Sequence, residues 1–188
     1  MRVLDTQAIE ALRATLHGKV ILAGDPEYNS ARAVWNGMIE RHPALIVQCA
    51  ETSDVVQALR FAREQNLDIA VRGGGHGVPG YATVDNGIVI DLSPMKDLII
   101  DTQRQTALAS PGLRLGEFIR TTQSYGLLTT IGTDPDTGLA GLTLGGGMGS
   151  LMGKFGLACD NVLSFEMVTA NGEVVRASAG ENPDLYWG

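Results

Sequence analysis

Arg72-Gly73-Gly74-Gly75-His76-Gly77-Val78-Pro79-Gly80-Tyr81 places five glycines in ten residues. Glycine has no Cβ and tolerates positive φ, so consecutive glycines let backbone N–H groups converge on an anion that side chains would otherwise block. Of the three histidines in the chain, His76 is the one set among these glycines, and its imidazole is the loop's one nucleophile. The combination predicts a nucleotide cofactor held by a phosphate-wrapping loop, with His76 available to bond to it.

The flanks place this loop. Leu67-Asp68-Ile69-Ala70-Val71 before it and Gly87-Ile88-Val89-Ile90-Asp91-Leu92 after it are short apolar runs of strand character, so the element is strand, loop, strand. Gly75-x-Gly77-x-x-Gly80 formally matches a dinucleotide fingerprint. That fingerprint needs a helix to start within the glycines, and here Pro79 leads into strand-like sequence, which excludes a Rossmann reading. A second glycine cluster runs from Gly138 through Gly141 and Gly145-Gly146-Gly147 to Gly149, preceded by Gly132-Thr133-Asp134-Pro135, and two such loops suggest a large ligand. The Gly-Lys pairs, Gly18-Lys19 and Gly153-Lys154, are followed by Val20 and Phe155 rather than Ser or Thr, which excludes a Walker nucleotide triphosphatase.

Arg72-Gly-Gly-Gly-His76, then Gly132-Thr133 through Gly149, then Gly156-Leu157-Ala158-Cys159-Asp160-Asn161, in that order and at those separations, resemble the FAD-binding (PCMH-type) domain of the vanillyl-alcohol-oxidase superfamily. Within it the sequence is most similar to the berberine-bridge-enzyme-like FAD-linked oxidases, over about Arg32 to Gly188. The resemblance implies an α+β, two-subdomain PCMH-type fold. Its N-terminal part is βαβ (about 32–92) and its second sheet is mixed or antiparallel and flanked by helices (93–188), the whole chain forming one FAD-binding domain.

Site residues follow from the same resemblance. In family members a histidine matching His76 is bonded to the 8α-methyl of the flavin ring, which suits the nucleophilic neutral imidazole. Bicovalent members add a cysteine in a Gly-Thr-Cys-Pro-type segment. Here Asp134 stands at that position, so the expected link is single. Gly73, Gly74, Gly75, His76 and Gly77 are candidates for the pyrophosphate. Gly138, Gly141, Gly145, Gly146 and Gly149 let the chain pass close to the ribityl chain and ring, or serve tight packing. Gly80, Tyr81, Gly132, Thr133, Gly156, Leu157, Asp160 and Asn161 match motif positions near the cofactor, although Asp-Asn is also a common turn pair. Arg72 either offsets phosphate charge or pairs with an acidic neighbour. Trp35 and Trp187 read as core or surface anchors. No catalytic base and no metal ligand is assigned, because the family's base lies largely on a substrate domain or a returning segment.

Composition fits this picture. With 188 residues, 44% of them hydrophobic, the chain can bury a substantial core. A formal net charge of −7 argues against nucleic acid or an anionic membrane surface as partner. Met1 to Thr6 lead into an amphipathic helix without a signal-peptide core, so a cytoplasmic location is the expectation. Cys49 and Cys159, in apolar strand-like surroundings and without metal-ligand spacing, read as buried thiols.

Along the chain, helices are predicted over Thr6–His17 (closed by Gly18), from Ser53 as N-cap to about Gln65, and over Leu115–Tyr125 (ended by Gly126). Strands are predicted at Ala44–Cys49, Leu67–Val71, Leu98–Asp101 and Gln105–Ala109. Asn171-Gly172 is a hairpin signal between Val162–Ala170 and Glu173–Ala177, and a helix starts near Asn182-Pro183. The family's substrate domain would follow this point and is absent from the 188 residues. The expected function is an FAD-linked oxidase or oxidoreductase acting on a small molecule. The alternatives are a truncated flavin-binding module without turnover, completed by a substrate domain or a second copy of the chain, and an intact fold that retains no flavin.

Overall fold

The computed structural model describes residues 4–188. Met1-Arg2-Val3, part of the lead-in to the first helix, lies outside the described residues. Two parallel strands, β2 (Leu45–Gln48) and β4 (Ile88–Asp91), form the centre of a four-stranded sheet. Leu45, Ile46 and Val47, like Ile88, Val89 and Ile90, are continuous β-branched or apolar runs, which suits a strand buried on both faces. Alternation then divides the core. Leu45, Val47, Ile88 and Ile90 face α1 (Thr6–Thr15) and α3 (Thr52–Glu64), where they meet Ile9, Leu12, Ala58 and Phe61. Ile46 and Val89 face the other way and pack with Ile21, Tyr28 of α2 (Tyr28–Arg32) and Ala70.

The strand order is β1-β2-β4-β3, with β1 (Lys19–Leu22) antiparallel at one edge and β3 (Ile69–Arg72) parallel at the other. The predicted βαβ unit is therefore β2-α3-β3, but β4 lies between its two strands. Because β3 and β4 are parallel neighbours, the chain between them must cross over rather than turn back. It does so through the glycine loop without a helix. β1, which precedes Arg32, belongs to this same sheet.

The antiparallel part of the fold is two separate two-stranded sheets. One pairs β5 (Leu98–Asp101) with β6 (Thr106–Ala109); the other pairs β7 (Ser164–Val168) with β8 (Val174–Ser178). Leu115 and Phe118 of α4 (Leu115–Ser124) join Ile131 in a separate small core, and Gly126 ends α4 at φ +68°. Short helices α5 (Leu139–Leu144), α6 (Met152–Phe155) and α7 (Pro183–Trp187) complete the chain.

Two local expectations are corrected. Ser53 is not the N-cap of α3; Glu51 takes that place, and Asp54 in the first turn, fully buried, accepts the N–H groups of His17, Gly18 and Ala50 at 2.8 to 2.9 Å. This carboxylate satisfies backbone donors outside its own helix, tying α3 to the entry of β1. The hairpin expected at Asn171-Gly172 is present as β7–β8, where Gly172 has positive φ (+81°) and its N–H donates to Thr169 O at 2.8 Å. Cys49 is buried as expected, but Cys159 is only half-buried: Asp160 and Asn161 wind it into a 3-10 turn, with Sγ 3.8 Å from Asp160 Oδ1.

Candidate functional site

Gln48, Arg72 and Asp91 are the last residues of three neighbouring parallel strands and stand in one register row. They form the floor of an open cleft of about 410 Å³, completed by Ser30, Ala31 and Ala33 to Trp35 on one side, Gly73 to His76 on another, and Ser93, Arg114 and Asp136. The carboxyl ends of parallel strands are where open α/β sheets present a crevice to ligands.

The floor is electrostatically satisfied. Arg72 Nη2 lies 2.7 Å from Asp91 Oδ2, Arg72 Nη1 reaches Ala33 O at 3.4 Å, and Gln48 Nε2 donates to Asp91 Oδ2 at 3.3 Å. Of the two readings of Arg72, the structure shows the acidic partner. Burial alone would raise the Asp91 carboxyl. The Arg72 guanidinium and the Ser93 N–H at 3.1 Å outweigh it, holding the group below the usual carboxylate range.

Donors for an anion come from the backbone instead. Among the described residues, none of the N–H groups of Gly73, Gly74, Gly75, His76 and Gly77 donates to a protein acceptor. The loop is nevertheless held firmly: Trp35 N–H donates to Gly75 O at 3.0 Å, Asn36 Nδ2 to Val78 O at 2.9 Å, and Gly75 sits at φ +67°. A run of unpaired N–H groups in a fixed, glycine-rich backbone is a cradle for phosphate oxygens.

His76 stands at the edge of this cradle. Its ring stacks on Trp35, with centroids 4.5 Å apart and planes at 25°. Nε2 lies 3.3 Å from Asp134 Oδ2, off the line of a hydrogen bond, so this buried nitrogen has no hydrogen-bond partner. Asp134 is itself half-exposed, and its Oδ1 accepts the Asp136 N–H at 2.9 Å. Arg114 Nη1 lies 3.3 Å from Asp136 Oδ1 across the mouth.

Sequence-predicted residues thus divide. Gly73 to His76 line the cleft. Gly138 touches it through Gly74, since a Cβ on either glycine would fall 2.4 Å from the other's backbone. Gly77 and Gly141 face open space. Other members have packing or turn contacts: Gly132 lies against Leu115 and Leu142, Gly149 against Ile131 O, and Gly146 against Leu157. Asp160 accepts the Leu157 N–H at 2.8 Å beside Gly156, and Asn161 Nδ2 donates to Phe155 O and Leu157 O, which is the turn reading of that pair. Gly145 closes the C-terminus of α5, Gly80 lies against Ile39, Thr133 is exposed and Tyr81 is 78% exposed. Sequence reasoning missed Trp35 as a neighbour of His76, along with Gln48, Asp91, Arg114 and Asp136. The available signal was that Gln48 and Asp91 each lie one residue inside the end of a predicted strand.

Comparison with known proteins agrees with the geometry. The FAD binding domain family matches residues 43–178. (R)-6-hydroxynicotine oxidase of Paenarthrobacter nicotinovorans is 39% identical over 173 residues, covering 92% of this chain and 38% of its own. The crystal structure of 6-hydroxy-D-nicotine oxidase from Arthrobacter nicotinovorans superposes with a TM-score of 0.92 at 37% identity, over 98% of this chain and 40% of its own. BBE-like 1 of Physcomitrella patens gives 0.90 at 32% identity, over 96% of this chain and 40% of its own. The chain spans about 40% of the length of the relatives it matches.

Proposed function

We propose, on the premise that this chain belongs to the FAD binding domain family within the vanillyl-alcohol-oxidase superfamily, that it is the flavin-holding part of an FAD-linked oxidoreductase, with FAD tethered through His76 alone. The observation that carries this reading is the row of unpaired N–H groups from Gly73 to Gly77, beside a histidine, at the carboxyl ends of parallel strands. FAD fits the residues present. Backbone donors suit a pyrophosphate without requiring a basic side chain, the Arg72–Asp91 pair leaves a near-neutral floor, and the orphaned His76 Nε2 belongs to the one nucleophile at the site.

Bound FAD would supply the redox chemistry, accepting a hydride from a small organic substrate and passing the electrons to an acceptor. The chain's own residues bind and orient. Gly73 to Gly77 hold the phosphates, the Gly74–Gly138 contact fixes the two glycine loops relative to each other, Trp35 sets the plane of the His76 ring, and His76 anchors the flavin. Asp134, where bicovalent relatives place a cysteine, cannot form a thioether, which supports a single link. No residue here is given the role of catalytic base.

A second reading, a flavin-binding module without turnover of its own, is favoured by a run of apolar side chains in water. Leu144, Met148, Met152 and Phe155 are 70%, 73%, 48% and 50% exposed, a surface suited to cover by a substrate domain or a second copy of this chain.

Thermal melting of the His76→Ala variant, which cannot tether, tests cofactor binding directly. FAD at a hundredfold excess over its Kd is expected to add about 2.7 kcal/mol of stability, seen as a raised Tm. An unchanged Tm at saturating FAD would overturn the proposal. Turnover of substrate by the isolated chain at the rate of longer relatives would overturn the second reading.

A further inference from the structure

We infer that Asp134 is a positioning residue for His76: its carboxylate holds the imidazole proton on Nε2 and so leaves Nδ1 as the nitrogen that bonds to the flavin. The inference rests on the reading of His76 as the tether and names a residue that acts through it.

Three observations carry the argument. Of the two ring nitrogens, Nε2 alone is buried and without a hydrogen bond, and the Asp134 Oδ2 acceptor lies 3.3 Å from it. A neutral imidazole carries one N–H, and its position is set by whichever nitrogen faces an acceptor. Hydrogen bonds at reacting centres are often long or misaligned before the reacting partner is in place, and 3.3 Å is a distance from which one can form. Second, the stack on Trp35 holds the plane of the ring and with it the reach of Nε2 to the carboxylate. Third, Asp134 is itself oriented, because its Oδ1 accepts the Asp136 N–H at 2.9 Å and Oδ2 is thereby turned to His76.

Tethering would form an N–C bond between Nδ1 and the flavin 8α-methyl carbon, whose displaced proton would go to solvent; the two electrons left behind would reduce the flavin, and dioxygen with two protons from solvent would take them to give hydrogen peroxide and the oxidised, tethered flavin. The chain's part would be to present the Nδ1 lone pair and, through the Nε2 proton, to offset the positive charge of the alkylated ring with the Asp134 carboxylate.

Asp134→Asn gives a sharp test because it keeps the turn. The Asp136 N–H would retain the amide oxygen, so the amide NH₂ would point at Nε2. A donor there reverses the preference, placing the proton on Nδ1 and blocking the nucleophile. Two measurements follow on the 188-residue chain: nitrogen-15 NMR of the His76 side chain without flavin, and the rate at which added FAD becomes acid-stable in air, alongside total flavin bound. The parent is expected to show the Nε2–H form. In Asp134→Asn the Nδ1–H form should appear, and acid-stable flavin should form roughly 10- to 100-fold more slowly with total binding unchanged. Acid-stable flavin forming equally fast in both proteins, or an Nδ1–H form in the parent, would overturn the role of Asp134 while leaving the tether in place. A parent that never retains flavin through acid would overturn the tether itself, and this inference with it.

Discussion

Gly74 and Gly138, one from each glycine cluster, meet backbone to backbone: a Cβ on Gly74 would lie 2.4 Å from both the N and the Cα of Gly138. The contact explains how two loops distant in sequence become one site, and why neither position has room for a methyl group. Gly138→Ala is expected to destabilise the fold by about 1–3 kcal/mol, since the clash is with backbone and must be relieved by moving a loop. It should also weaken FAD binding, because the Gly73 to Gly77 donors move with it. Denaturant unfolding and FAD titration of this variant check both effects; a parent-like midpoint with parent-like affinity would show that the loops are not locked together.

The Arg72–Asp91 pair predicts a pH dependence. The Asp91 carboxyl is held below its ordinary value in the folded state, so its contribution to stability is fully present above the ordinary carboxyl value of about 3.9 and is lost as pH falls through the lowered native value. Stability measured against pH should therefore fall in that acid window for the parent and lack this component in Asp91→Asn. Arg72→Ala, which leaves a buried carboxylate unpaired, is expected to cost about 3–5 kcal/mol at neutral pH.

The two cysteines should separate by reactivity. Burial, with the negative charges of Asp54 and Asp91 nearby, pushes the Cys49 thiol up to about 12, whereas Cys159 is half-buried on a turn. A thiol reagent at pH 8 is expected to modify Cys159 in the folded chain and Cys49 only after unfolding. Folded Cys159→Ser should show no fast-reacting thiol.

Trp35 reports on the site because its ring stacks on His76 while remaining 60% exposed. Binding of FAD should quench its fluorescence, and most of that quenching should disappear in Trp35→Phe, which leaves Trp187 as the remaining indole. Equal quenching in both proteins would place the flavin elsewhere.

Much of this architecture was legible in the sequence because it follows from local rules. The apolar runs at Leu45 to Val47 and Ile88 to Ile90, the glycine that ends α4 and the Asn171-Gly172 turn each announce themselves within a few residues. The glycine loop was legible for the same reason. What was not legible is what depends on strand order: nothing local says that β4 inserts between β2 and β3, and it is that insertion which brings Gln48, Arg72 and Asp91 into one row. Trp35 against His76 and Asp134 against Nε2 are long-range contacts of the same kind. The role of Asp54 was not legible for a related reason, since its partners His17 and Gly18 come from another element.

The most direct test of the account is the absorption spectrum of the purified chain before and after acid precipitation. The account predicts flavin colour that stays with the protein pellet, and a proteolytic peptide containing His76 that carries the flavin mass, both lost in His76→Ala. Colour that passes wholly into the supernatant, or a flavin found on Cys159 instead, would contradict it.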